Sequence, residues 1–152
     1  MRTEKPGPHI FLYACLLAII LSSAASQERS MTTTQSNKAF ITKMLSEKKR
    51  LEDFPDRFEP NLEMYEPAVL PFGGTYRGLR EFQRFYPEVR RYYDFDTWQL
   101  LGVYADGETV FATTRVAVAG TSQVMYIAEQ FTFNGDKIKQ VRVHICDTKV
   151  AL

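Results

Sequence analysis

The sequence predicts an α+β domain, a cone in which N-terminal helices cover one face of a strongly curved antiparallel β-sheet. Three observations lead there. Apolar residues recur at helical spacing in the front of the chain, over residues 38–51 and again over 78–91. From Phe95 to Cys146 the pattern becomes strand after strand, broken by short turns at Asp106-Gly107, Gly120 and Asn134-Gly135. Sequential strands joined this way pair antiparallel, and helices gathered ahead of such a meander cover it from one side.

Composition bounds what the cone can be. The chain has 152 residues, 45% hydrophobic and 13% aromatic, which suits one domain with an aromatic-rich core. Its formal charge of +1 supplies no field that would steer it onto nucleic acid or an anionic bilayer, and neither is expected as a partner.

The front of the chain has the layout of a secretory signal peptide. Arg2 and Lys5 precede an apolar run from Ile10 to Leu21, and small residues follow at Ser22-Ser23-Ala24-Ala25-Ser26. The run is too short to span a bilayer, so no stable membrane anchor is expected. Cleavage after Ala25 or Ser26 would remove Cys15, leave Cys146 as the sole thiol and place the protein outside the cytoplasm, secreted or periplasmic. The competing reading starts translation at Met31 and leaves the protein cytoplasmic. On the first reading the chain divides into a signal peptide (1–26), a Ser/Thr/Gln-rich flexible linker (27–37) and the domain (38–149).

The domain opens with an amphipathic helix carrying Phe40, Ile41, Met44, Leu45 and Leu51, with Lys48, Lys49 and Arg50 at the end that the helix dipole favours for cations. Asp53 is placed to cap a short second helix, with Pro55 in its first turn, Phe58 facing inward and Pro60 as its stop. Asn61–Pro67 then alternates as a half-buried strand, with Leu62, Met64 and Glu66 on the apolar face. Prolines and Gly73-Gly74 make an irregular connection, after which Gly78 opens a third helix with Leu79, Phe82, Phe85, Tyr86 and Val89 along its buried stripe and Pro87 disturbing its last turn.

The chemistry is expected where carboxylates fall on apolar faces. In Tyr126–Gly135, Ile127, Glu129, Phe131 and Phe133 share one side of a strand, and Glu66 occupies the same kind of position earlier. Burial disfavours an ionised carboxyl, so both pKa values should rise; one glutamate then takes a proton while the other donates a hydrogen bond to a developing oxyanion. Such a pair needs no cofactor and no metal. The competing reading bonds each glutamate to an Arg such as Arg115 or to a Tyr hydroxyl in a satisfied network. Phe40, Met44, Phe58, Met64, Tyr76, Phe82, Trp98, Ile127, Phe131 and Val143 are expected as pocket walls, suited to a hydrophobic small molecule. His144 shares its strand's outer face with Gln140, Arg142 and Cys146, which leaves it too isolated for triad or metal chemistry.

Three stretches carry a family resemblance: Glu66-Pro67; Leu70-Pro71-Phe72-Gly73-Gly74-Thr75-Tyr76-Arg77-Gly78 with Phe82 and Phe85 in the helix beyond; and Ala128–Gly135 with the closing Asp147-Thr148. Together they resemble the SnoaL-like branch of the nuclear transport factor two-like superfamily, which holds ketosteroid isomerases, polyketide cyclases, scytalone dehydratase, limonene epoxide hydrolase and many non-catalytic binding modules. The resemblance implies the cone fold and a homodimer through the outer sheet face. It also places Glu66 at the isomerases' general base and Glu129 at their protonated donor, a carboxylic acid kept neutral at pH 7 by its apolar site. The isomerases' first-helix Tyr has no counterpart, since the comparable stretch is Phe40-Ile41-Thr42-Lys43. The function expected is cofactor-free acid–base chemistry of the isomerase, cyclase, dehydratase or epoxide hydrolase type; the alternative is a non-catalytic ligand-binding or dimeric scaffold module.

Overall fold

The computed structural model describes residues 26–28, 31–50 and 53–146. The expected leader, Cys15 and the closing Asp147-Thr148 lie outside the described residues. The chain divides into two units, Met1–Thr32 and Thr33–Leu152. The described positions of the first unit, 26–28, 31 and 32, are helical. Among the described residues no helix is long and apolar enough to cross a membrane.

In the second unit helix α1 occupies residues 33–46 and is followed by a 3-10 turn (Pro55–Arg57). Then come β1 (Phe58–Glu66), β2 (Gly74–Arg77), α2 (Gly78–Tyr92), β3 (Tyr93–Asp106), β4 (Thr109–Val118), β5 (Val124–Asn134) and β6 (Lys137–Ile145). The strands form one curved, unclosed sheet in the order β2-β1-β6-β5-β4-β3, with the helices packed on it. The α+β class is as expected, with one departure: β1 runs parallel to β6, so the sheet is mixed. That pairing joins the first strand of the domain to its last, and no local turn could have announced it.

Two expectations at the front need correction. The linker expected over 27–37 is helical at its described positions, and the domain begins at Thr33 rather than Lys38. Its polar residues are tied down by partners far along the chain. The Thr34 hydroxyl donates to the Gly107 carbonyl at 2.8 Å, and the Asn37 amide, 2% exposed, donates to the Gly135 carbonyl at 2.8 Å. Thr34 and Asn37 are three residues apart and share a helix face, so one face of α1 clasps the turns of two hairpins. The short helix expected after Asp53 is only the 3-10 turn; Phe58 already belongs to β1, and Pro60 sits in the irregular stretch where the β1–β6 register shifts.

The core lies between helices and sheet, and strand alternation builds it. Met125, Ile127, Phe131 and Phe133 of β5 are buried, as are Leu62 and Met64 of β1 and Val110, Ala112, Thr114 and Val116 of β4. Strand β3 keeps its apolar face inward only by inserting extra residues. Its register against β4 shifts twice, between Asp94 and Gln99 and between Leu100 and Gly102. Inward positions therefore run Tyr93, Phe95, then Trp98, Leu100, then Val103, Ala105. Such bulges bend a strand and deepen its twist, which curves the sheet around an interior. The loop before β2 is equally constrained: a β-carbon on Gly73 would come within 2.3 Å of the Pro67 carbonyl oxygen, so no larger residue fits.

Candidate active site

The interior is a cavity of about 290 Å³, walled by Met44 of α1, Phe82 and Phe85 of α2, and inward residues of every strand except β2. It opens where the C-terminal ends of α1 and α2 meet the start of β3, at Lys48, Arg90 and Asp96, which are exposed. Of the expected walls, Met44, Met64, Phe82, Trp98, Ile127, Phe131 and Val143 border it, and so do Glu66 and Glu129.

Three expected walls do not border it. Phe40 lies a helical turn before Met44, edge-on to Phe54 with the Arg57 guanidinium 4.1 Å above its ring. Phe58 is buried in the core at the start of β1, opposite Ile138 and at the far end of the strand from Glu66. Tyr76 stacks on Phe85 at 3.8 Å and donates its hydroxyl to the Phe72 carbonyl, so Phe85 borders the cavity in its place.

Strand register explains how two glutamates distant in sequence share one chamber. Glu129 pairs across β5–β6 with Val143, and Tyr65 pairs across β1–β6 with Arg142. Glu66, one residue beyond Tyr65, therefore extends the row containing Val143 and Glu129. Among the described residues no side-chain hydrogen bond or ion pair reaches either carboxyl, and Arg115, the arginine considered as a partner, lies on β4 opposite Tyr126 and Gln99. Burial among apolar walls pushes Glu66 up to about 8, helped by the negative charge of Glu129. Burial likewise pushes Glu129 up to about 7. Around neutrality the pair thus holds at least one proton, and repulsion makes the two carboxyls titrate together.

Tyr93 completes the polar set, and nothing in the sequence pattern singles it out. It is buried, borders the cavity, and its hydroxyl has no hydrogen-bond partner among the described residues. Burial raises its pKa above the ordinary tyrosine range, and Glu66 and Glu129 raise it further, so the hydroxyl stays protonated. An unpartnered buried donor costs stability unless something else uses it. The available signal was weak: Tyr93 sits where the helical period of α2 gives way to the strand period of β3.

The outer face of the sheet is separate from this chamber. His144 is exposed there with Arg142, its Nε2 3.3 Å from the Gln130 amide oxygen. Arg142 lies over the Tyr65 ring at 4.4 Å, and Tyr104, Phe111 and Tyr126 expose large apolar surfaces. A β-carbon on Gly102 would come within 2.8 Å of the Tyr104 hydroxyl, so glycine is what lets that side chain lie back along the sheet.

No family model matches the chain, and no curated protein matches it. Solved structures do. The chain is similar to a steroid delta-isomerase from Pseudomonas aeruginosa, with a TM-score of 0.60 and 14% identity over 78% of this chain and 83% of that one. It is similar to an NTF2-like protein of unknown function from Burkholderia pseudomallei, with a TM-score of 0.58 and 19% identity over 80% of this chain and 92% of the other. A third, an NTF2-like protein from Burkholderia thailandensis, gives a TM-score of 0.53 and 24% identity over 62% and 76% of the two chains. The fold is the nuclear transport factor two-like, ketosteroid isomerase-like fold, and identities this low carry the fold alone.

Proposed function

We propose that the protein is a cofactor-free acid–base catalyst of the isomerase, cyclase, dehydratase or epoxide hydrolase type, acting on a hydrophobic small molecule in the SnoaL-like manner. The observation that carries this reading is the pair of glutamates, Glu66 and Glu129, that border one chamber with no side-chain partner among the described residues. With one proton between them, one carboxylate abstracts a proton from carbon while the other carboxyl, with the Tyr93 hydroxyl, donates to the oxygen where charge develops. The resemblance assigns the base to Glu66 and the protonated donor to Glu129.

A minimal test is the conversion of 3-cyclohexenone to its conjugated isomer, a proton removed from the carbon between carbonyl and alkene and another returned at the alkene's far carbon. The wild type should exceed buffer catalysis. Glu66→Gln should abolish the excess, because an amide cannot act as a base, while Glu129→Gln keeps the fold. Ordinary glutamate pKa values in a carbon-detected NMR titration would reject the acid–base reading. The binding-module alternative would then stand, favoured by the absence of a tyrosine in the Phe40–Lys43 stretch of α1.

The same reading includes a homodimer through the outer face that carries Arg142 and His144, supported by the exposed Tyr104, Phe111 and Tyr126. Light scattering should return twice the chain mass. It also includes export, with the mature chain starting near Ser26 or Gln27, which N-terminal sequencing from the native host decides.

A further inference from the structure

If the cavity holds a small-molecule substrate, as proposed above, its mouth dictates what that molecule must carry. The interior is apolar, but the mouth is cationic: its exposed residues are Lys48, Lys49, Arg50, Arg90 and Asp96. On a chain of formal charge +1, four cations against one carboxylate around a single opening is a concentration, not a background. Ion pairing does not account for it. The ion pairs among the described residues join Arg77 to Glu63, Arg91 to Glu88 and Lys139 to Glu108, and none of them uses a cation of the mouth.

Two of these cations are held in place. Lys48, just past the end of α1, adopts a left-handed conformation, φ +51, which turns the chain and is uncommon for a residue with a β-carbon. Its ammonium donates to the Phe95 carbonyl at 3.2 Å. The Arg90 guanidinium lies 5.3 Å from the centre of the Phe95 ring. Phe95 thus gathers a lysine from the end of one helix and an arginine from the other at the rim, and both keep donors to spare, since an ammonium has three and a guanidinium five.

We propose that the cavity takes an anionic amphiphile, a compact apolar body among Phe82, Trp98 and Phe131 with one acidic head, a carboxylate, sulfonate or phosphate, left at the mouth against Lys48 and Arg90. Size and charge both constrain it. The volume is at the small end for ligand pockets, about 300 Å³ and upward, so the body is small. Glu66 and Glu129 oppose a second negative charge at depth, so the acid stays at the rim while the buried part is neutral.

Isothermal titration calorimetry of the full chain with 2-naphthoate and 2-naphthamide, nearly isosteric and differing in charge, tests the head group. At low salt the carboxylate should bind about tenfold more tightly than the amide, and most of that preference should vanish near ~0.5 M salt. Lys48→Gln with Arg90→Gln should erase the preference while amide binding persists, which also reports that the variant is folded; if it does not fold, the salt dependence of the wild type decides. An amide that binds as tightly as the acid, or a preference indifferent to salt, overturns the anionic head and leaves the pocket reading intact. If neither compound binds, the small-molecule pocket falls with it.

Discussion

Glu66 and Glu129 flank a single residue, Val143, in one row across three strands. Neighbouring strands lie roughly 4.8 Å apart, so the two backbones stand about 10 Å from each other and the curved sheet tips both side chains into one chamber. Their coupling is measurable. Glu129→Gln removes the negative charge that helps hold Glu66 near 8 and should lower the Glu66 pKa without restoring the ordinary value, because burial remains. Side-chain carboxyl chemical shifts followed through the titration check this, and an unmoved Glu66 would mean that the two groups do not sense each other.

The same carboxyls set a pH profile for stability. Folding raises them from the ordinary 4.5 to about 8 and about 7, so between those limits the native state binds more protons than the unfolded chain. Their contribution to stability is therefore full below pH 4.5 and is lost as pH rises through 7 and 8, by at most about 1.4 kcal/mol per pH unit for each carboxyl. Urea midpoints should be higher at pH 6 than at pH 8.5, and Glu66→Gln combined with Glu129→Gln should flatten the difference. A midpoint that rises across that range contradicts the assignment.

Removing the Tyr93 hydroxyl separates stability from function. Tyr93→Phe deletes a buried donor that has no partner among the described residues, so folding should be unchanged or gain up to about 1 kcal/mol. Catalysis of the cyclohexenone reaction should drop about tenfold or more if the hydroxyl serves the oxyanion. Thermal unfolding alongside turnover reads both quantities in one variant; a destabilised protein would show that the hydroxyl has a structural partner after all.

Asn37→Ala should destabilise the domain by about 1–3 kcal/mol, since it orphans the Gly135 carbonyl and takes the amide oxygen from Arg57, 3.3 Å away. Denaturant unfolding checks it. A change no larger than that of an exposed neighbour such as Lys43→Ala would show the contact to be unimportant.

Much of this architecture was legible because alternation is unbroken where it matters. Glu129 stood out in β5 since every second residue from Met125 to Phe133 faces the core, and Glu66 followed Leu62 and Met64 in the same way. Tyr93 was hidden at a change of period, and the two bulges in β3 shift the parity by which its later inward residues would be read. Lys48, Lys49 and Arg50 were legible as cations favoured by the dipole at a helix end; only the fold brings Lys48 and Arg90 to the same aromatic residue. The parallel β1–β6 pair and the clasp of α1 join positions too far apart to leave any trace in a local window.

That clasp bears on how the molecule comes together in time. The contacts from Thr34 to Gly107 and from Asn37 to Gly135 span 73 and 98 residues, so α1 must wait until both hairpins have been synthesised before it can be fastened. Until then the chamber has no roof, and its aromatic walls face water. A device secured so late slows escape from the native state more than it speeds arrival, so in stopped-flow experiments Asn37→Ala should accelerate unfolding and leave the refolding rate nearly unchanged. An equal loss in refolding rate would place the helix in the nucleus instead. Expression from Lys38 onward, the boundary that composition suggests, would discard the latch altogether and yield a cone that opens readily.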